Sequence, residues 1–164
     1  MISLKGGQVI RKSKLFAALT LNAKEILQSE IDRSLKLEAI CKLLKNNVRY
    51  YNWVGFYTVN KERPTELVLV SYIGEPTRHL RIQFGKGICG QAAILRKTLV
   101  VQDVSKEDNY LSCSSKVKSE IVVPIFRNKE VVGELDIDSH IASPFTLEDE
   151  AFLKEIAEMV SEFL

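Results

Sequence analysis

Two cysteines sit inside dense polar motifs in the second half of the chain. Cys89 lies in Phe84-Gly85-Lys86-Gly87-Ile88-Cys89-Gly90, and Cys113 in Leu111-Ser112-Cys113-Ser114-Ser115-Lys116, seven residues before Glu120. A third motif follows, Leu135-Asp136-Ile137-Asp138-Ser139. These two thiols with Glu120, Asp136 and Asp138, all between Phe84 and Ser139, point to thiol redox chemistry assisted by acids. A thiolate attacks, and a carboxylic acid supplies the proton that a leaving oxygen needs.

Each residue has a plainer reading beside the chemical one. Ser112, Ser114, Ser115, Lys116 and Lys118 surround Cys113 with a polar, cationic setting that lowers a thiol pKa. The plain reading is an inert loop cysteine. Gly87 and Gly90 bracket Cys89, so its backbone can run tight against a ligand; otherwise it is a small core residue after a glycine turn. No Walker-type Lys-Ser/Thr follows these glycines, so phosphate binding has little support. Asp136 and Asp138 alternate with Ile137 on an expected strand and so share a face. Like charges on one face repel, and burial would hold one of them protonated near neutral pH or suit both to an ammonium group. The plain reading is a solvated strand edge. Calcium or magnesium would need more ligands and a different loop. Trp53 and Tyr57, four apart, would line one face of another strand as pocket walls or as ordinary core. Cys41 falls on an apolar helical stripe and reads as core. His79 and His140 form no catalytic pattern.

These residues need a scaffold, and the patterning supplies an α+β one. Residues 13–47 lack Gly and Pro, and Leu37, Ile40, Cys41, Leu44 and Val48 recur at helical spacing. Pro144 and Thr146 before Glu148-Asp149-Glu150 mark a capped helix start, with Phe152, Ile156, Met159, Val160 and Phe163 as its apolar stripe. Between the helices, strands are expected at 54–59, 66–72, 78–82 and 99–101. A hairpin follows from 121–126 to 131–137, with Pro124 at an edge or bulge. A short helix opens near Gly90. A single domain is expected over 1–164, with a helical region 1–47, sheet and site loops 48–142, and a terminal helix 143–164.

The bulk numbers remove whole classes. The chain has 164 residues, 46% hydrophobic and 27% charged, ordinary for a globular domain. No apolar run reaches the roughly 18 residues of a membrane span, and Met1 to Gly7 holds no apolar signal core. Three cysteines without Cys-x-x-Cys spacing suit a reducing, cytoplasmic setting with at most a transient disulfide. A net charge of +2 gives no argument for nucleic acid. The charge is uneven: ten Lys/Arg against four Asp/Glu up to Arg49, and six Asp/Glu against one Lys from Ala142. The two ends could pair within one chain or across a homodimer.

Four stretches taken together carry a resemblance: Asn52-Trp53-Val54-Gly55-Phe56-Tyr57, Gly85-Lys86-Gly87-Ile88-Cys89-Gly90, Cys113 with Ser119-Glu120-Ile121-Val122-Val123-Pro124, and Leu135-Asp136-Ile137-Asp138-Ser139. In this order and spacing the chain resembles the free methionine-(R)-sulfoxide reductases, stand-alone GAF-domain enzymes. The resemblance implies a GAF-like central antiparallel sheet, with N- and C-terminal helices packed on one face and substrate enclosed on the other. It implies reduction of free L-methionine-(R)-sulfoxide without metal or organic cofactor. Cys113 would be nucleophile and Cys89 resolving thiol, closing a disulfide that a thioredoxin-like dithiol reopens. Glu120, Asp136 and Asp138 would divide proton donation and ammonium binding, and Trp53 and Tyr57 would wall the pocket. One departure stands out: many members carry a further cysteine where this chain has His79, so the roles of Cys89 and Cys113 could be exchanged. The competing readings are a small-molecule-sensing GAF module, a redox sensor without turnover, and a structural adaptor.

Overall fold

The computed structural model describes residues 11–111 and 114–164, and the backbone of two short segments before them. Those segments, β1 (Ile2–Ser3) and β2 (Val9–Ile10), pair antiparallel. Then come α1 (Lys12–Gln28), α2 (Arg33–Asn47), β3 (Trp53–Val59), β4 (Glu66–Ile73), β5 (Arg81–Gln83), α3 (Gly87–Leu95), β6 (Leu99–Val101), β7 (Ser119–Arg127), β8 (Glu130–Ser139) and α4 (Leu147–Val160). The expected N-terminal helical stretch is two helices, broken at 29–32. There the Ser29 hydroxyl turns back to the Ile26 carbonyl, and Asp32 takes an extended backbone.

The main sheet is antiparallel, in the order β5-β4-β3-β8-β7-β6. Its two faces are built differently. Val54 and Phe56 of β3, Ile121, Val123 and Ile125 of β7, and Leu135 and Ile137 of β8 face α1, α2 and α4 in one core, which also takes Leu37, Ile40, Cys41, Leu44 and Val48. The alternate residues face the other way, where Trp53, Tyr57 and Val122 meet α3, Ile82 and Val117. The period-2 rule thus sends every second residue of β8 to the far face. β7 and β8 join through Asn128 and Lys129, both at positive φ, as a two-residue hairpin turn demands. Pro124 lies beyond the end of β6, whose pairing stops at Val122, and just before a bulge at Ile125/Phe126, so its missing N–H interrupts no ladder on that side.

One ion pair joins the two oppositely charged ends within the chain. Lys12, at the start of α1, reaches Asp149 of α4 at 2.5 Å, and Thr20 donates to Glu155 at 3.3 Å. Asp149 also closes a capping box with Thr146 and accepts from the hydroxyls of Tyr50 (2.6 Å) and Tyr51 (2.9 Å). Burial alone would raise its pKa. The hydrogen bonds from Lys12, Tyr50, Thr146 and Tyr51 outweigh that and hold the carboxyl below its usual range. Asp149→Ala should therefore cost about 2 kcal/mol, a fall of about 4–8 °C in Tm by circular dichroism at pH 7. Because the folded pKa is depressed, this contribution is present above the ordinary carboxyl range near 4 and fades as pH falls through the folded value, so the gap to wild type should narrow on acidification.

Candidate functional site

The far face of the sheet carries an unusual strip of acids. Along β8 the alternation places Glu134, Asp136 and Asp138 there, and Glu120 of β7 stands directly opposite Asp138. All four are buried. The solvated-edge reading of Asp136 and Asp138 is therefore ruled out. On the other flank β3 sets Trp53 opposite Asp138, Gly55 opposite Asp136 and Tyr57 opposite Glu134. Gly55 is required there, because a Cβ would stand 2.2 Å from the Trp53 indole that lies across it. The indole stacks on Tyr72 (5.4 Å between centroids) and donates to the Glu75 carbonyl at 3.1 Å. Tyr57 donates to the His79 carbonyl at 2.9 Å.

Cys89 closes this strip from above. It sits in the first turn of α3, which begins at Gly87, three residues earlier than the sequence pattern indicates. Gly90 lets that turn press on the preceding loop, since a Cβ there would stand 2.5 Å from the Gln83 carbonyl oxygen. The Cys89 Sγ lies 3.9 Å from Glu120 Oε1. A narrow cavity of about 10 Å³ runs between Tyr57, His79, Ile82, Lys86–Cys89, Leu111, Glu120, Asp136 and Asp138, room for about one water. A second, also of about 10 Å³, lies between Asn52, Trp53, Glu75, Pro76, Ser114, Val117, Asp138 and His140. Asp138 borders both.

Electrostatically the strip is one unit. Among the described residues, no Lys, Arg or His forms an ion pair with any of the four carboxyls. Burial, and then the charges of Asp136, Asp138 and Glu134, push Glu120 well above the carboxylate range. Burial and the Asp136 charge do the same to Asp138 and Glu134. Asp136 rises to about 7: burial lifts it, while hydrogen bonds from Cys89 and from protonated Glu120 hold it down. The four carboxyls titrate as one coupled set, all raised, and Asp136 is the one that its hydrogen bonds pull back toward the ionised form. Cys89 is raised well above the usual thiol range by burial and by the charges of Asp136, Glu134, Glu120 and Asp138. A helix N-terminus would favour a thiolate, but burial and the surrounding acids prevail.

Of the residues expected from sequence, Cys89, Glu120, Asp136, Asp138, Trp53 and Tyr57 converge here. His79 lines the same cavity. Cys41 is in the helical core on the opposite face. Cys113 lies outside the described residues. Its chain neighbours bracket the two cavities, Leu111 at the first and Ser114 at the second.

Three contributors escaped the sequence reading. Glu134 shares the period-2 face of the two aspartates, a signal that was there to be used. Asn109 ties its loop to the start of α3, accepting from the Gly87 N–H at 3.0 Å and donating to the Gly85 carbonyl at 2.7 Å. Glu75 accepts from Lys116 and so joins the loops on the other side. Nothing local marks those two.

The GAF domain family matches residues 32–164. The chain belongs to the GAF domain family. It is 36% identical to GAF domain-containing protein A of Dictyostelium discoideum over 91% of this chain and 92% of that one. It is 38% identical to the free methionine-R-sulfoxide reductase of Saccharomyces cerevisiae, over 67% of this chain and 61% of that one. The X-ray structure of free methionine-R-sulfoxide reductase from Neisseria meningitidis in complex with its substrate superimposes with a TM-score of 0.87 at 33% identity, covering 95% and 92% of the two chains. Within the GAF family the chain groups with these reductases. Among the described residues no helix is long and apolar enough to cross a membrane.

Two outcomes follow from the buried thiols and acids. Burial also drives the Cys41 thiol far up, with the Ser71 hydrogen bond opposing. Iodoacetamide at pH 7.5 should therefore leave Cys41 and Cys89 unlabelled in the native protein and alkylate both once it is unfolded, as read by peptide mass. Glu134 has a folded pKa above its unfolded value near 4.3, so it loses stability for the fold as pH rises through that window. From pH 5 to pH 8, wild type should lose more urea stability than Glu134→Gln does.

Proposed function

We propose that this chain reduces free L-methionine-(R)-sulfoxide to methionine through a cysteine sulfenic acid and an intramolecular disulfide. The observation that carries the reading is the buried carboxyl strip, which no described cationic side chain neutralises. A free amino acid brings the missing cation as its ammonium group, whereas a peptide-bound methionine sulfoxide does not. Trp53 and Tyr57 wall the same face and suit the thioether end. The similarity to the Neisseria meningitidis reductase, whose structure holds its substrate, supports the same chemistry.

In this mechanism ionised Asp136, with Asp138, binds the ammonium. Protonated Glu120 gives its proton to the sulfoxide oxygen as the Cys113 thiolate attacks. The S–O bond passes to Cys113: methionine leaves, its sulfur reduced by two electrons, and Cys113 is left as the sulfenic acid. The Cys89 thiol then displaces water from that sulfur and a disulfide forms, which a thioredoxin-like dithiol reopens by exchange. The raised pKa of Cys89 supports Cys113 as the attacking thiolate, with Cys89 as the resolving partner. With His79 in place of the further family cysteine, the pair Cys89 and Cys113 is sufficient, and a reducing cytoplasm is the fitting compartment.

Incubation of the reduced protein with dithiothreitol and racemic free methionine sulfoxide should yield methionine until the R epimer is spent. Cys113→Ser should lower the rate by about three orders of magnitude or more. Without reductant, one turnover should leave the protein two hydrogens lighter, with Cys89 and Cys113 peptides linked. An inactive wild type, a fully active Cys113→Ser, or a link through Cys41 would contradict the reading. The rate should also fall below about pH 7, where Asp136 takes up a proton. Multiple turnover separates the enzyme from a sensor that oxidises once.

A further inference from the structure

We propose that the reduced pocket also takes one divalent cation of borderline softness, of the Zn²⁺ class, held by Cys89, Glu120 and Asp136, and that disulfide formation at Cys89 abolishes the site. One ligand atom from each of these residues lies within 4.8 Å of the others. The Sγ to Glu120 Oε1 separation is 3.9 Å. In a tetrahedral zinc site, bonds of about 2.3 Å to sulfur and about 2.1 Å to oxygen set donors about 3.4–3.6 Å apart. Cys89 and Glu120 therefore need to close by a few tenths of an ångström, and the widest-spaced donors by up to about 1.4 Å. The three come from rigid elements, α3, β7 and the central strand β8, so the arrangement is held by the fold.

A second observation points the same way. Asp136 Oδ1 is buried without a hydrogen-bond partner, and so are both carboxyl oxygens of Glu134 on the same strip. Buried acceptors left unmatched are costly, and a cation at the cluster would satisfy Asp136 directly. The donor set selects the ion. A thiolate with two carboxylates suits zinc or cadmium, while magnesium and calcium require an all-oxygen shell of higher coordination. All three residues border the cavity, so the remaining coordination position opens into it.

Two consequences follow. The cation and the substrate ammonium seek the same carboxylates, so zinc inhibits in competition with methionine sulfoxide; this part rests on the proposed function. Zinc also requires the Cys89 thiolate, so it binds the reduced protein and not the disulfide form. The metal then marks, and protects, the reduced state of the resolving thiol.

The test is competition of the reduced protein against a chromogenic chelator for Zn²⁺ at pH 7.5. Wild type, Cys41→Ala and Cys113→Ser should each take up one equivalent. Cys89→Ala, Asp136→Asn and the oxidised protein should bind at least about 100-fold more weakly. Cd²⁺ should give wild type a thiolate charge-transfer absorbance in the ultraviolet that Cys89→Ala lacks, so the site stays testable if Asp136→Asn does not fold. No uptake by wild type, equal uptake by Cys89→Ala, or loss in Cys113→Ser would overturn the site. In turnover, zinc should raise KM for the sulfoxide and leave kcat unchanged; an unchanged KM with zinc bound would overturn the competition. A protein that binds zinc as described yet never reduces the sulfoxide would refute the proposed function and leave the metal site standing.

Discussion

Four carboxyls buried on one sheet face, with no described cationic side chain among them, are the constraint on which the rest of the molecule turns. Such a group cannot stay fully ionised: burial and mutual repulsion drive most of it to the protonated form. That cost is carried by the opposite face of the same strands. Leu135 and Ile137 alternate with the acids and sit in the main core under α1, α2 and α4. β8, which bears three of the four acids, pairs with β3 on one side and β7 on the other. The acids are thus fixed to a central part of the sheet, and their backbones are held in the ladder.

The same constraint sets the character of Cys89. A thiol buried above four acids holds its proton and is a poor thiolate. The proposed mechanism accordingly gives it the second of two steps, when a neighbouring sulfur has already become electrophilic. The surrounding pieces are arranged to keep this strip dry. Trp53 lies flat over Gly55, α3 lies across the strip, and Asn109 clips the following loop to the α3 start.

Much of this was legible in the sequence because it is periodic. Asp136 and Asp138 share a face by alternation alone, and Leu37, Ile40, Cys41 and Leu44 declare a buried stripe by helical spacing. Glu134 obeys the same alternation, yet a glutamate close to a hairpin turn reads as solvated, and only the sheet order shows it enclosed. The break at 29–32 carries no Gly or Pro and depends on a serine turning back onto its own helix. Gly87 reads as loop because glycine is a poor helix former, whereas here it opens α3. Asn109 and Glu75 act across the fold, through contacts that no local pattern encodes. Cys113, the residue the sequence marked most clearly for chemistry, lies outside the described residues, so its part rests on its motif.

Under the proposed function, the strip, raised in pKa throughout, exchanges protons for the substrate's ammonium. The most direct measurement is calorimetric binding of L-methionine-(R)-sulfoxide to reduced Cys113→Ser at pH 7, in buffers of different ionisation enthalpy. Binding should release protons, seen as an apparent enthalpy that changes linearly with the buffer's ionisation enthalpy. Binding with no proton release, or proton uptake in its place, would contradict the account.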